Sequence, residues 1–207
     1  MSARRPAAAT WVVTTVLGYA LAISAATPVM GAPARVLSPL LGGLVYLAVY
    51  GLFVGIVVAL VHLLALRGRA IAPVSWLAAS ALGLAVAFPV MAVVGELLGN
   101  AIDPLLPVAL GEGVIQVLSG ATLGIILGFA QWRVLRPFLI DRASWLIASA
   151  VGAGIGYGIA AAALELFDID FLRANLVLSF GAMVGLFLCA AQALALSRSG
   201  TRIVETR

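Results

Sequence analysis

The chain has no lysine, one cysteine and one histidine, and only 10% of its 207 residues are charged. All twelve basic residues are arginine, spread along the sequence, so no dense cationic patch exists of the kind that holds nucleic acid. A lone cysteine, Cys189, sits in the apolar run from Leu186 to Ala195. It can form no internal disulfide and supplies only one metal ligand, so its expected role is that of a small buried hydrophobe. A lone histidine, His62, cannot provide the paired axial ligation of a b-type haem, which leaves at most a single-histidine cofactor site. No His-Glu-x-x-His, Gly-x-Ser-x-Gly or Walker-type loop occurs. The alternation at Gly152, Gly154 and Gly156 lies inside an apolar run and cannot cradle a nucleotide, so no enzymatic activity is expected.

What the sequence has in quantity is hydrocarbon. Apolar residues make up 64% of the chain and its mean hydropathy is +1.19, far outside the range of water-soluble domains. Apolar stretches fall at about residues 9 to 30, 42 to 66, 74 to 98, 111 to 135, 143 to 167 and 172 to 196. Each is close to the roughly 20 residues that a helix needs to cross a bilayer, so the expected fold is an all-α polytopic bundle of six transmembrane helices forming a single membrane domain. The segment 197–207 is then a short cytoplasmic tail. Arg4 and Arg5 followed by an apolar run resemble a secretory signal, but the run from Thr10 to Met30 is longer than such signals usually are and reads as the first span.

Charge sets the expected orientation. Arg4, Arg5, Arg67, Arg69, Arg133, Arg136, Arg142, Arg198, Arg202 and Arg207 flank one side of the spans, and only Arg35 and Arg173 the other. Six of the eight acids, Glu96, Asp103, Glu112, Glu165, Asp168 and Asp170, join the latter pair. The two faces therefore carry 10 − 2 = +8 and 2 − 6 = −4, which predicts cytoplasmic termini; the inner (plasma) membrane is the expected location. Glu96 and Glu165 each stand 20 residues beyond a tryptophan, about 30 Å along a helix, and are expected as outer-face acids, solvated or paired with Arg35 and Arg173. Trp11, Trp76, Trp132 and Trp145 near the opposite edge are expected to form an interfacial aromatic belt.

The chain also matches itself. Displaced by 69 residues, Gly51 to Leu97 overlies Gly120 to Leu166 without a gap, with 16 of 47 positions identical, among them Gly51/Gly120, Gly55/Gly124, Ser75-Trp76/Ser144-Trp145, Gly83/Gly152 and Glu96/Glu165. A third copy is split between the ends. Gly181, Gly185, Gln192 and Leu196 repeat the spacing of Gly120, Gly124, Gln131 and Leu135, and Trp11 and Gly18 that of Trp76 and Gly83. Three tandem helical hairpins, at about 9–66, 74–135 and 143–196, follow as parallel repeats, most simply arranged as a pseudo-threefold bundle. This pattern of Trp, Gly, Gly-x-x-x-Gly, Gln and Leu-Arg resembles uncharacterised bacterial multi-pass membrane proteins built from the same hairpin. The resemblance implies no activity.

Two constellations are candidates for function. Gly51, Gly55, Gly120, Gly124, Gly128, Gly152, Gly156, Gly181 and Gly185 form a glycine zipper, bare backbone stripes on which helices can approach within the bundle or against a partner. His62, Gln131 and Gln192 occupy equivalent positions, each eleven residues after the first repeat glycine, and form a possible polar level in the bundle. That level is either a ring around a passage or a set of side chains satisfying neighbouring helices. Pro89 and its counterpart Gly158 mark possible bends at equivalent depth. Two readings stay open: a non-catalytic subunit that packs with other membrane proteins or with itself, and a small-solute or ion transporter or channel. The lipid bilayer is the expected partner in both, and no cofactor is assigned.

Overall fold

The computed structural model describes residues 8–29, 39–66, 71–102, 104–137, 141–166 and 174–199. The 200–207 tail and the arginines Arg4, Arg5, Arg35, Arg67, Arg69 and Arg173 lie outside the described residues, as do the side chains of Glu165 and Arg198 and the surroundings of Gly181. Six helices follow in order: α1 (Ala8–Val29), α2 (Pro39–Ala65), α3 (Pro73–Ile102), α4 (Val108–Leu135), α5 (Arg142–Leu166) and α6 (Ala174–Ser199). No strand occurs among the described residues.

The punctuation of these helices is written in proline and aspartate. Pro39 and Pro73 stand at first helical positions, where the missing N–H costs nothing. Pro107 precedes α4. Pro137 follows the C-cap Arg136, whose N–H donates to the Trp132 carbonyl at 2.7 Å. Asp141 opens α5: its carboxylate accepts from the Ala143 N–H at 2.9 Å, from the Ser144 N–H at 3.2 Å and from the Ser144 hydroxyl. Those bonds, the Ser144 hydroxyl first and the Ala143 N–H next, hold the Asp141 carboxyl below its ordinary range. The cap is therefore complete above the unfolded aspartate range and is lost as pH falls through the lowered value. Asp141→Ala is expected to speed amide exchange at Ala143 and Ser144 while leaving the first turn of α4 unchanged. In the wild-type protein the same two amides should keep their protection through the ordinary aspartate range and lose it below that range. Pro89 lies inside α3, which stays helical on both sides of it.

Leu41–Leu64, Pro73–Ile102, Leu110–Leu135 and Arg142–Ala163 are long and apolar enough to cross a membrane. Thr10–Ile23 of α1 and Ala182–Ala195 of α6 are apolar as well. A helix carries its backbone hydrogen bonds internally, and so it is the element an apolar chain can place in lipid. Large aliphatic side chains face outward all round, including Leu17, Leu21, Leu60, Leu64, Leu82, Val86, Ile125, Ile147 and Leu194, each more than half exposed or close to it. The polar side chains Thr15, His62, Ser80, Gln131, Ser149 and Gln192 are turned inward. In water such a surface would far exceed the few hundred Å² of apolar patch that soluble monomers tolerate, so apolar outside and polar inside fits a multi-pass membrane protein.

Short connections make successive helices antiparallel neighbours. Each helix packs against the next, and α1 packs against α6, so the six close into a ring in chain order. Glycines sit at both kinds of helix junction. Gly51 and Gly55 of α2 press on α3 at Leu84 and at Ser80 and Ala81; Gly120, Gly124 and Gly128 of α4 press on α5 at Ala153, Tyr157 and Ser149; Gly185 of α6 presses on α1 at Thr15, Val16 and Tyr19. At the alternate junctions, Gly18 faces α2, Gly83 faces α4, and Gly152 and Gly156 face α6. The described glycines of the stripes are thus spent within the ring, where backbones approach closely, and are not left on its outside.

Candidate functional site

Inside the ring, successive layers draw one side chain from every second helix. At the level nearest the α2, α4 and α6 C-termini lie Trp11, Trp76 and Trp145, at most 1% exposed. The expectation of an interfacial belt is corrected here, because three of the four indoles are enclosed by the bundle. Their rings close the end of the core: Trp11 meets Trp76 edge-on at 6.0 Å. The Trp145 N–H finds its acceptor at 3.0 Å on the Gly128 carbonyl, which a residue without a side chain leaves accessible. Only Trp132 has a surface position, with the Arg142 guanidinium 4.9 Å above its ring and 5.2 Å above that of Phe129.

Next to the indoles comes the polar level, where His62, Gln131 and Gln192 are each 1% exposed. Each reaches a hydroxyl on the preceding helix. His62 Nε2 lies 2.7 Å from Thr15 Oγ1, Gln131 Nε2 donates to Ser80 Oγ at 3.3 Å, and Gln192 Nε2 donates to Ser149 Oγ at 3.0 Å. Gln192 Nε2 also donates at 3.4 Å to Gln131 Oε1, so α4 and α6, which are not neighbours in the ring, meet across its interior. His62 stacks on Trp11 at 4.5 Å and 16° and lies 5.9 Å from Trp76. The three side chains singled out by spacing are therefore brought to one level.

Beyond this level the interior is mainly apolar, with Tyr19, Tyr157 and Ser119 as its buried hydroxyl-bearing residues. Val58, Leu127 and Leu188 pack together, then Val54, Leu123 and Val184, then Tyr19, Leu84 and Ala153, with Phe88 and Tyr157 beside them. No continuous polar track runs through the described core. Glu96 is exposed on α3. Cys189 is buried, its thiol donating to the Leu186 carbonyl at 3.0 Å. Among the described residues no group of three or more His, Cys, Asp or Glu is placed to hold a metal.

The hydroxyl partners were not singled out from the sequence, although the signal existed. Thr15, Ser80 and Ser149 each stand four residues after Trp11, Trp76 and Trp145, one helical turn along the same face. Thr15 differs in type from the two serines, so an identity match between the first and later copies passes over it.

The fold is an all-α closed ring of six helices around a buried polar level, four of them long and apolar enough to cross a membrane, which fits a multi-pass membrane protein. No protein family matches the chain, and neither a curated protein nor a solved structure is significantly similar to it.

Proposed function

We propose that this chain is a non-catalytic subunit or assembly component of a membrane complex, six spans in the inner membrane with both termini cytoplasmic, built as three tandem hairpin repeats. The observation that carries the reading is the filled axis. Aromatic, polar and aliphatic layers occupy the interior from Trp76 through Gln131 to Leu123 and Leu84, leaving the lipid-facing exterior as the extended surface on which the chain can act. The repeat is supported by equal burial at equivalent positions: Trp11, Trp76 and Trp145; Thr15, Ser80 and Ser149; His62, Gln131 and Gln192. The likeness to hairpin-repeat membrane proteins of bacteria is part of the same reading.

Purification of the tagged chain from its native membrane in several mild detergents is expected to bring down other membrane proteins in fixed ratio, or further copies of itself. Recovery as a bare monomer in every detergent would overturn the reading. The buried polar level favours a second reading, a small-solute or ion transporter, which requires the apolar layers to part. Under it, liposomes carrying the protein would show a flux that falls when Gln131 becomes Leu. Under the subunit reading they show background flux before and after the change.

A further inference from the structure

The polar level is incompletely satisfied by protein, and its donors and acceptors can be counted. Thr15 Oγ1 has one hydrogen, and that hydrogen is committed to the Trp11 carbonyl at 2.8 Å. Thr15 must therefore accept from His62, so His62 carries its hydrogen on Nε2 and presents a bare lone pair at Nδ1. His62 Nδ1 is buried and has no protein partner. Gln192 Oε1 is likewise buried and unpartnered, while both hydrogens of Gln192 Nε2 are used, on Gln131 and Ser149. Gln131 Nε2 has two hydrogens and gives one to Ser80. Among the described residues the side chains of His62, Gln131 and Gln192 are left with two free acceptors and one free donor, beside the indole N–H groups of Trp11 and Trp76 in the adjoining layer, which are also buried without a partner.

We propose that this layer is a binding site for a single water molecule that donates to His62 Nδ1 and to Gln192 Oε1 and accepts the second hydrogen of Gln131 Nε2. The pattern is the complement of water. Two donor hydrogens and one lone pair match two acceptors and one donor, and about three hydrogen bonds are what a buried structural water makes. An unmet buried acceptor forfeits its hydration with nothing in return, so leaving two of them dry is the less stable arrangement. Protonation of His62 is the other way to satisfy Nδ1. The residues in contact with the ring are Trp11, Thr15 and Trp76, none of them an acid that would hold a charged imidazole, and the indole N–H groups of Trp11 and Trp76 make no hydrogen bond to Nδ1, so the donor comes from the ligand. The water ties α2 to α4 and α6, a link the direct hydrogen bonds lack, since those join His62 only to α1.

His62 is the chain's only histidine, so ¹⁵N-histidine labelling reports a single ring, provided that the purification tag contains none. Solid-state NMR of the full chain in phospholipid bilayers is expected to show Nε2 protonated, Nδ1 unprotonated but shifted as a hydrogen-bond acceptor, and magnetisation transfer from water protons to Nδ1. In Gln192→Leu the transfer should be lost and the Nδ1 resonance should move toward that of an unbonded lone pair. Blue-shifted tryptophan emission would verify that the core of the variant is intact. A ring protonated at Nδ1, or a wild-type Nδ1 without acceptor shift and without water transfer, overturns the proposal. The wild-type spectrum alone decides the matter if the variant does not fold.

Discussion

Gly124→Ala is expected to destabilise the bundle by about 1–2 kcal/mol, and Gly124→Leu to prevent its assembly. A β-carbon at position 124 would meet the backbone of α5 at Ser149, with the Ser149 carbonyl carbon at 2.7 Å and the Ala150 Cα at 2.9 Å. Neither is the end of a flexible side chain, so the two helices must separate. Overpacking of this kind costs about 1–3 kcal/mol. The alanine returns up to about 1 kcal/mol through its better helix propensity, which sets the net figure. Gly43 and Gly113 give the control, because nothing lies within 4 Å of a β-carbon at either position. Gly43→Ala and Gly113→Ala keep the propensity gain without the clash and are expected to be neutral or stabilising by a few tenths to about 1 kcal/mol. Reversible denaturation in mixed micelles, scored by loss of near-ultraviolet tryptophan dichroism, would order the variants. Equal effects at 124 and 113 would mean that the α4/α5 approach is not the close contact described.

This contrast between glycines was half legible in the sequence. Four-residue spacing identified Gly51, Gly55, Gly120, Gly124, Gly152, Gly156 and Gly185 as packing positions, and the structure puts each against a neighbouring helix. Spacing could not say whether the neighbour belonged to the same chain. That depends on the closure of α1 onto α6, a contact between residues more than 150 positions apart for which no local signal exists. Helix positions were legible because a long uninterrupted apolar run has few alternatives in lipid. The expected spans agree with the helices to within a few residues at most ends. The C-terminus of α3 runs on from the expected 98 to Ile102 because Gly99 and Asn100 end the apolar run without ending the hydrogen-bonding pattern.

The polar level was legible as a level and illegible as a network. Recurrence in three copies drew His62, Gln131 and Gln192 together; all three are buried, Gln131 and Gln192 are hydrogen-bonded to each other, and His62 lies against Trp11 and Trp76. Their partners depended on rotation about each helix axis, which hydrophobic periodicity normally supplies. Here the helices are apolar on every face, so the pattern that separates inside from outside in a soluble bundle is missing. The same absence explains the tryptophans. A tryptophan near the end of a span is usually placed by its affinity for the headgroup region, and only packing information could have turned three of these four inward.

Trp145→Ala is expected to cost about 3 kcal/mol, at the low end of the range for a buried tryptophan. The side chain is fully enclosed and lies in one cluster with Trp11, Trp76, Leu135 and Cys189. In a soluble protein its loss would combine a transfer penalty with a cavity penalty. Lipid is as apolar as the core, so the transfer part largely disappears and the cavity part stays. Trp145→Phe refills most of the volume and forfeits the bond to the Gly128 carbonyl, and is expected to cost about 1 kcal/mol, the net worth of one such bond. Trp132→Ala, at a half-buried position under Arg142, leaves no cavity and is expected to cost about 0.5–1 kcal/mol for the lost cation–π contact. A set ranked 145→Ala, then 145→Phe, then 132→Ala by unfolding in mixed micelles would establish the indoles as the packed end of the core. If 132→Ala proved as damaging as 145→Ala, interfacial anchoring, and not interior packing, would be what tryptophan contributes to this protein.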